Sequence, residues 1–177
     1  MVSNIFSRIR DIIFQVPRKR YNVFTGTNTY QEWLLAIKHF FLPVDYENEN
    51  IIQKYENTFA GVVGAKYGVS FGAGRMALFA ILEALEINEG DEIILPAFTC
   101  IVVPNALLYR GVKPVYIDIE RETFNIDVDK IEAAITPHTK AIYAQHSFGY
   151  PCNLKRIKEI AKVYGIRVIE DAAHALG

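Results

Sequence analysis

GDEIILPAFTC, residues 90–100, sets the architecture. Asn88-Glu89-Gly90-Asp91 has turn composition, and Glu92–Leu95 follows it as a short apolar run that Pro96 ends. A short run without polar alternation, bounded by turn residues, reads as a strand buried on both faces. Pro96-Ala97-Phe98-Thr99-Cys100 then lies at the carboxyl end of that strand, where ligands sit in open α/β sheets.

Working outward, the same unit recurs. Upstream, a helix is expected over 51–59, a strand over 67–71 and a helix over 76–85. Downstream, helix 102–109 precedes strand 114–118, and helix 128–135 precedes strand 141–145. Helix 154–164 closes at Gly165, a C-cap glycine, before strand 166–170. Short apolar strands separated by helices predict an α/β fold, a mainly parallel sheet with helices on both faces. Residues 46–177 read as one domain. Residues 1–45 read as a separate N-terminal helical arm. Ile5, Phe6, Ile9, Ile12 and Ile13 recur there at helical spacing before Pro17-Arg18-Lys19-Arg20, and a second short helix is expected over 31–41. A basic-flanked amphipathic arm suits a membrane surface, or packing on the body or a partner.

Composition narrows the function classes. The 177 residues are 51% hydrophobic and 22% charged, which is globular rather than disordered. A net charge of −1 gives no general attraction to nucleic acid. The two cysteines, Cys100 and Cys152, form no CxxC pair and no metal cluster. The uncharged stretch 93–109 is interrupted by Pro96, Pro104 and Asn105, so no transmembrane span is expected. Arg8, Arg10 and Asp11 break any signal-peptide core, and a cytoplasmic location is expected.

Chemistry-bearing residues cluster after the strands. Gly72-Ala73-Gly74-Arg75 follows a strand and opens a helix, which suits a phosphate on backbone N–H groups or a plain tight turn. The stretch also fits G-x-G-x-x-A, but the acids Asp91 and Glu92 precede the second strand instead of following it, which disfavours NAD. His146, in a Gly/Pro turn, suits a ligand contact or a structural hydrogen bond. Asp171 suits the N-cap of a helix from Ala172, the reading its spacing favours, or a partner for a cationic ring nitrogen.

Taken in order, these segments resemble the pyridoxal phosphate (PLP)-dependent sugar aminotransferases of the DegT/StrS type. The similarity runs from about Tyr46 to Gly177. It is carried by the strand–turn–helix at 67–85, GDEIILPAFTC at 90–100 and NALLYRGVKPVYIDIERETFNID at 105–127. It continues through IEAAITPHTKAIYAQHSFGYPCNL at 131–154 and AKVYGIRVIEDAAHALG at 161–177. The resemblance implies PLP fold type I and a homodimer with active sites at the subunit interface. It implies amino transfer from glutamate or glutamine to a keto-sugar nucleotide. By position, Gly74 and Arg75 would meet the cofactor phosphate, with the Arg75 cation replacing hydroxyls the family usually has. Cys100 falls where many members stack an aromatic residue on the pyridine ring, which a cysteine cannot do. Asp171 would pair with the pyridinium nitrogen, and His174 would lie near the phenolic oxygen.

The resemblance places the Schiff-base lysine downstream of the Asp171/His174 element, and no lysine of this chain holds that position. The resulting expectation is an incomplete large domain, inactive alone and weak or lacking in PLP binding. The alternatives are a non-catalytic binding module of the same descent, or part of a PLP-dependent sugar dehydratase. The implied family sheet order is 3-2-4-5-6-7-1. Strands 114–118, 92–95, 141–145 and 166–170 should then be contiguous, and strand 67–71 should lack its proper neighbour.

Overall fold

β1, Glu92–Pro96, is the axis of the domain: all its residues are buried, and Ile93, Ile94 and Leu95 have no solvent exposure. In this computed structural model, which describes residues 29–42 and 49–175, β1 pairs in parallel with β2 (Lys113–Ile117) on one side and β3 (Thr139–Gln145) on the other. β4 (Arg167–Asp171) pairs in parallel with β3, so the sheet order is β2-β1-β3-β4. This is the contiguous order expected for the last four strands.

Alternation along β1 divides the core. Ile93 and Leu95 enter one apolar cluster, with Leu78, Leu82, Leu107, Tyr143 and Ile169. Ile94 enters the other, with Ile117, Ile131, Ile142, Ile157 and Ile160. The first face is covered by α3 (Gly74–Ala84) and α4 (Val102–Tyr109), the second by α5 (Leu154–Tyr164). Each fully buried Leu or Ile contributes about 1.5–3 kcal/mol, so a polar residue at Ile93 or Ile94 would remove one face of the core. Asn153 caps α5 by accepting from the Arg156 N–H, and Gly165 ends it at φ +67°. That left-handed backbone is the reason for the glycine.

Two expected elements differ. Residues 67–71 form no strand. Tyr67 and Val69 are exposed, and the segment is tied instead to α2 (Glu49–Val63). There the Ser70 N–H and hydroxyl both donate to Glu56 Oε1, at 2.7 and 2.8 Å. Gly68 packs so closely on α2 that a Cβ would stand 2.7 Å from the Glu56 carbonyl oxygen. An extended segment without a neighbour has no ladder for its N–H and C=O groups, and here side-chain bonds take their place. The expected helix 128–135 is two 3₁₀ turns, Val128–Lys130 and Glu132–Ala134. Asp127 starts the first by accepting from the Asp129 N–H, a local bond that competes with the α-helical ladder.

The chain divides into two compact units, 1–46 and 47–177. In the first, α1 (Tyr30–Phe41) opens with a capping box in which Thr29 Oγ1 accepts from the Glu32 N–H and Glu32 accepts from the Thr29 N–H. The expected helix over 5–13 and the basic run 17–20 lie outside the described residues. No described helix is long and apolar enough to cross a membrane.

Candidate active site

The loops that leave β1, β3 and β4 and the start of α3 surround a cavity of about 610 Å³ at the carboxyl end of the sheet. All the candidate residues line it: Gly74, Arg75, Cys100, Asp171 and His174, and also His146. The strand register explains the convergence. Gln145 is level with Asp171, and Pro96 ends β1 one strand away, so the three chains leave the sheet at one edge.

The N-terminus of α3 is part of the lining. Its N-cap, Ala73, has no side chain able to cap. The Ala73 carbonyl accepts from the Met76 and Ala77 N–H groups, while the Gly74 and Arg75 amides find no acceptor among the described residues. A Cβ at Gly74 would meet nothing within 4 Å. Free amides, the helix dipole and the Arg75 guanidinium make this end fit for a phosphate.

Asp171, the last residue of β4, lines the same cavity. No helix starts at Ala172: residues 172–175 make one turn, closed by the Ala175 N–H on the Ala172 carbonyl. Asp171 Oδ1 accepts from the Ala173 N–H at 3.0 Å, which keeps part of the capping role in a turn. Its Oδ2 accepts from the Tyr143 hydroxyl at 2.6 Å. Burial first, and then the bond to Asp171, push the Tyr143 phenol far above its ordinary value. That shift favours the protonated phenol, the form that donates.

The walls are aromatic. Phe98 lies 5.7 Å from Phe124 and 5.9 Å from Phe148, ring centre to ring centre, and Phe148 stacks on His174 at 6.3 Å. Phe124 and Phe148 both have left-handed backbones, φ +58° and +53°. Such strain persists only where the surroundings impose it. Here a polar network does so. Buried Asn125 accepts from the Ser147 N–H at 2.8 Å and donates to the Tyr150 carbonyl at 3.0 Å. Ser147 Oγ donates to the Phe124 carbonyl, and Gln145 joins Ser147 to Thr99. Three loops from three strands are thereby one body.

His146 has a structural part. Its Nδ1 accepts from the Cys152 N–H at 3.0 Å, so Nε2 carries the proton and donates to Glu170 at 3.0 Å. Both ring nitrogens are used within the protein. The exposed Cys100 thiol lines the cavity, while burial pushes the Cys152 thiol up to about 11 and makes it inert.

Tyr143, Gln145 and Asn125 were not singled out from the sequence. A signal existed for Tyr143: a phenol in a buried strand needs a hydrogen-bond partner. Tyr143 is level with Ile169, and Asp171 follows on the same face two residues on. Naming that partner required the β3–β4 register.

Comparison with known proteins gives the family. The chain is 44% identical over 128 residues to GDP-perosamine synthase of Escherichia coli O157:H7, covering 72% of this chain and 35% of that protein. It is 44% identical over 122 residues to the UDP-N-acetyl-3-dehydro-alpha-D-glucosamine 3-aminotransferase of Acidithiobacillus ferrooxidans, covering 69% and 33%. The chain thus spans about a third of the length of the curated relatives it matches. Among solved structures, the aminotransferase from Psychrobacter cryohalolentis superposes with a TM-score of 0.79 at 32% identity, over 86% of this chain and 39% of that one. NtdA from Bacillus subtilis, solved with bound cofactor PMP, gives 0.76 at 30% identity, over 96% and 41%. Residues 45–177 match the DegT/DnrJ/EryC1/StrS aminotransferase family along their whole length, and the chain belongs to that family.

Proposed function

We propose that residues 47–177 carry the cofactor-holding half of a PLP-dependent aminotransferase acting on a keto-sugar nucleotide. The observation that supports this is that groups of opposite charge line one cavity. The Gly74 and Arg75 amides, without an acceptor among the described residues, and the Arg75 side chain share it with the Asp171 carboxylate. The volume of about 610 Å³ lies within the usual range for small-molecule sites.

In this reading the α3 N-terminus and Arg75 hold the cofactor phosphate, and Asp171 holds a proton on the ring nitrogen. Bound there, PLP supplies an electrophilic carbonyl and an electron-withdrawing ring. Phe98, Phe148 and His174 offer aromatic faces to the ring, and Cys100 faces it without stacking. Among the described residues no lysine lines the cavity. The amine that carries the cofactor covalently, the nucleotide-sugar pocket and the amino-donor pocket are assigned to the remainder of a complete enzyme. That enzyme is a cytoplasmic homodimer in this reading. The present chain holds PLP weakly and without a covalent bond.

The test is titration of the 177-residue chain with PLP and with unphosphorylated pyridoxal, followed by borohydride reduction and peptide mapping. Weak saturable binding that needs the phosphate and falls several-fold in Arg75→Ala is expected, with no single lysine labelled. Stoichiometric labelling of one lysine refutes the non-covalent assignment. Equal binding of pyridoxal and PLP refutes the phosphate site.

A further inference from the structure

We propose that Tyr143 is a positioning residue for Asp171, whose carboxylate its hydroxyl aims at the ring nitrogen of the cofactor. The inference rests on the reading of this cavity as a PLP site.

An ionised carboxylate offers about four lone-pair positions. Asp171 spends one on the Ala173 N–H and one on the Tyr143 hydroxyl, one from each oxygen. The two bonds pin both oxygens, so the carboxylate plane is set before a ligand arrives. The lone pairs that remain belong to a residue lining the cavity.

The two bonds differ in kind. Ala173 belongs to the turn and moves with Asp171. Tyr143 belongs to the sheet. Its ring is packed in the core face with Ile93, Leu95 and Ile169 and is 6% exposed, whereas Asp171 is partly open to solvent. The phenol therefore refers the carboxylate to the rigid part of the domain. Burial and the bond to Asp171 both raise the phenol above its ordinary value, which favours the form that donates. Without it, Oδ2 swings about the Cβ–Cγ bond and takes its hydrogen bonds from water. A ligand must then pay for ordering that Tyr143 otherwise supplies in advance.

The distinction from ordinary structural support lies in selectivity for the ring nitrogen. Binding of PLP is measured by calorimetry beside its 1-deaza analogue, in which a ring C–H replaces the nitrogen. The proteins are the unsubstituted chain, Tyr143→Phe, Asp171→Asn and the double variant, with thermal melting as a check of fold. Tyr143→Phe should weaken PLP binding about 3–10-fold, the worth of one hydrogen bond. The analogue's affinity should stay within about twofold, and Tyr143→Phe should add nothing in the Asp171→Asn background. Equal loss for both ligands, or no loss for PLP, overturns the inference and leaves the site reading intact. An unsubstituted chain that binds PLP no better than the analogue overturns Asp171 as the ring-nitrogen partner, and Tyr143's part with it.

Discussion

Asn125→Ala should be among the costliest single substitutions in the domain. The side chain is 1% exposed, and its amide holds the loop after β2 to the loop after β3 through the Ser147 N–H and the Tyr150 carbonyl. Ser147 is itself buried, so its N–H loses its partner without gaining water, at about 1–3 kcal/mol. Tyr150 is exposed and its carbonyl can be rehydrated, which adds about 1 kcal/mol or less. The sum is roughly 1–4 kcal/mol. For a chain of this size that corresponds to about 2–15 °C in Tm. Thermal unfolding followed by circular dichroism at 222 nm reads it. Asn125→Asp separates the two bonds. The introduced carboxyl keeps the acceptor for Ser147, but when ionised it turns an oxygen toward the Tyr150 carbonyl. Burial and that carbonyl raise its folded-state pKa above the unfolded value of about 3.9. Its protonated form donates to Tyr150, so its contribution is whole below about pH 4 and is lost as pH rises through the raised folded value. Relative to the unsubstituted protein, Asn125→Asp should therefore lose more stability at pH 7 than at pH 4. A Tm change under about 2 °C for Asn125→Ala, or a pH-independent deficit for Asn125→Asp, would refute the clamp.

Two further outcomes follow from the same fold. Lys113 first, then Thr136, hold the Glu92 carboxyl below the ordinary carboxylate range. A depressed folded-state value means a contribution that is present above the unfolded value of about 4.3 and is lost as pH falls through the folded one. Glu92→Gln should flatten the acid limb of the stability curve below roughly pH 5, and an unchanged limb in urea titrations at several pH values counts against that assignment. Gly149 has φ +84°, and a Cβ there would stand 2.8 Å from the His174 carbonyl oxygen. Gly149→Ala should cost about 1–3 kcal/mol and loosen the 172–175 turn. The check is hydrogen exchange at the Ala173 and Ala175 amides, where unaltered protection would contradict it.

The sheet was legible because its strands announce themselves. Glu92–Leu95 and Ala141–Gln145 are short apolar runs between turn residues, and only burial on two faces tolerates them. Residues 67–71 have the same β-branched and aromatic composition, yet the partner a strand requires lies outside any local window. Composition cannot distinguish a ladder from a tether to Glu56. The site divides likewise. Gly74, Arg75, Cys100, Asp171 and His174 are candidates by their position in the family resemblance, and all of them line one cavity. Asn125 and Gln145 act between loops far apart in sequence, and an amide side chain in a loop carries no mark of what it will clamp. Asp171 offered a cap or a ring partner from spacing alone. The structure gives its two oxygens separate neighbours, one in the turn and one on β3.

The placement of Tyr143 on β3 and Asp171 on β4 has a consequence for assembly. During synthesis β3 leaves the ribosome 26 residues before Asp171, the separation of Gln145 from Asp171. At about 5–20 residues per second this is an interval of seconds. A three-stranded sheet of β2, β1 and β3 then carries a phenol with no carboxylate to meet it, on an edge with a free ladder. Docking of β4 satisfies the outer ladder of β3 and the phenol in one event, and it also brings Asp171 to the cavity. The step that pairs the outer edge of β3 is thus the step that gives the cavity its carboxylate, and the nascent domain lacks that group until β4 has docked.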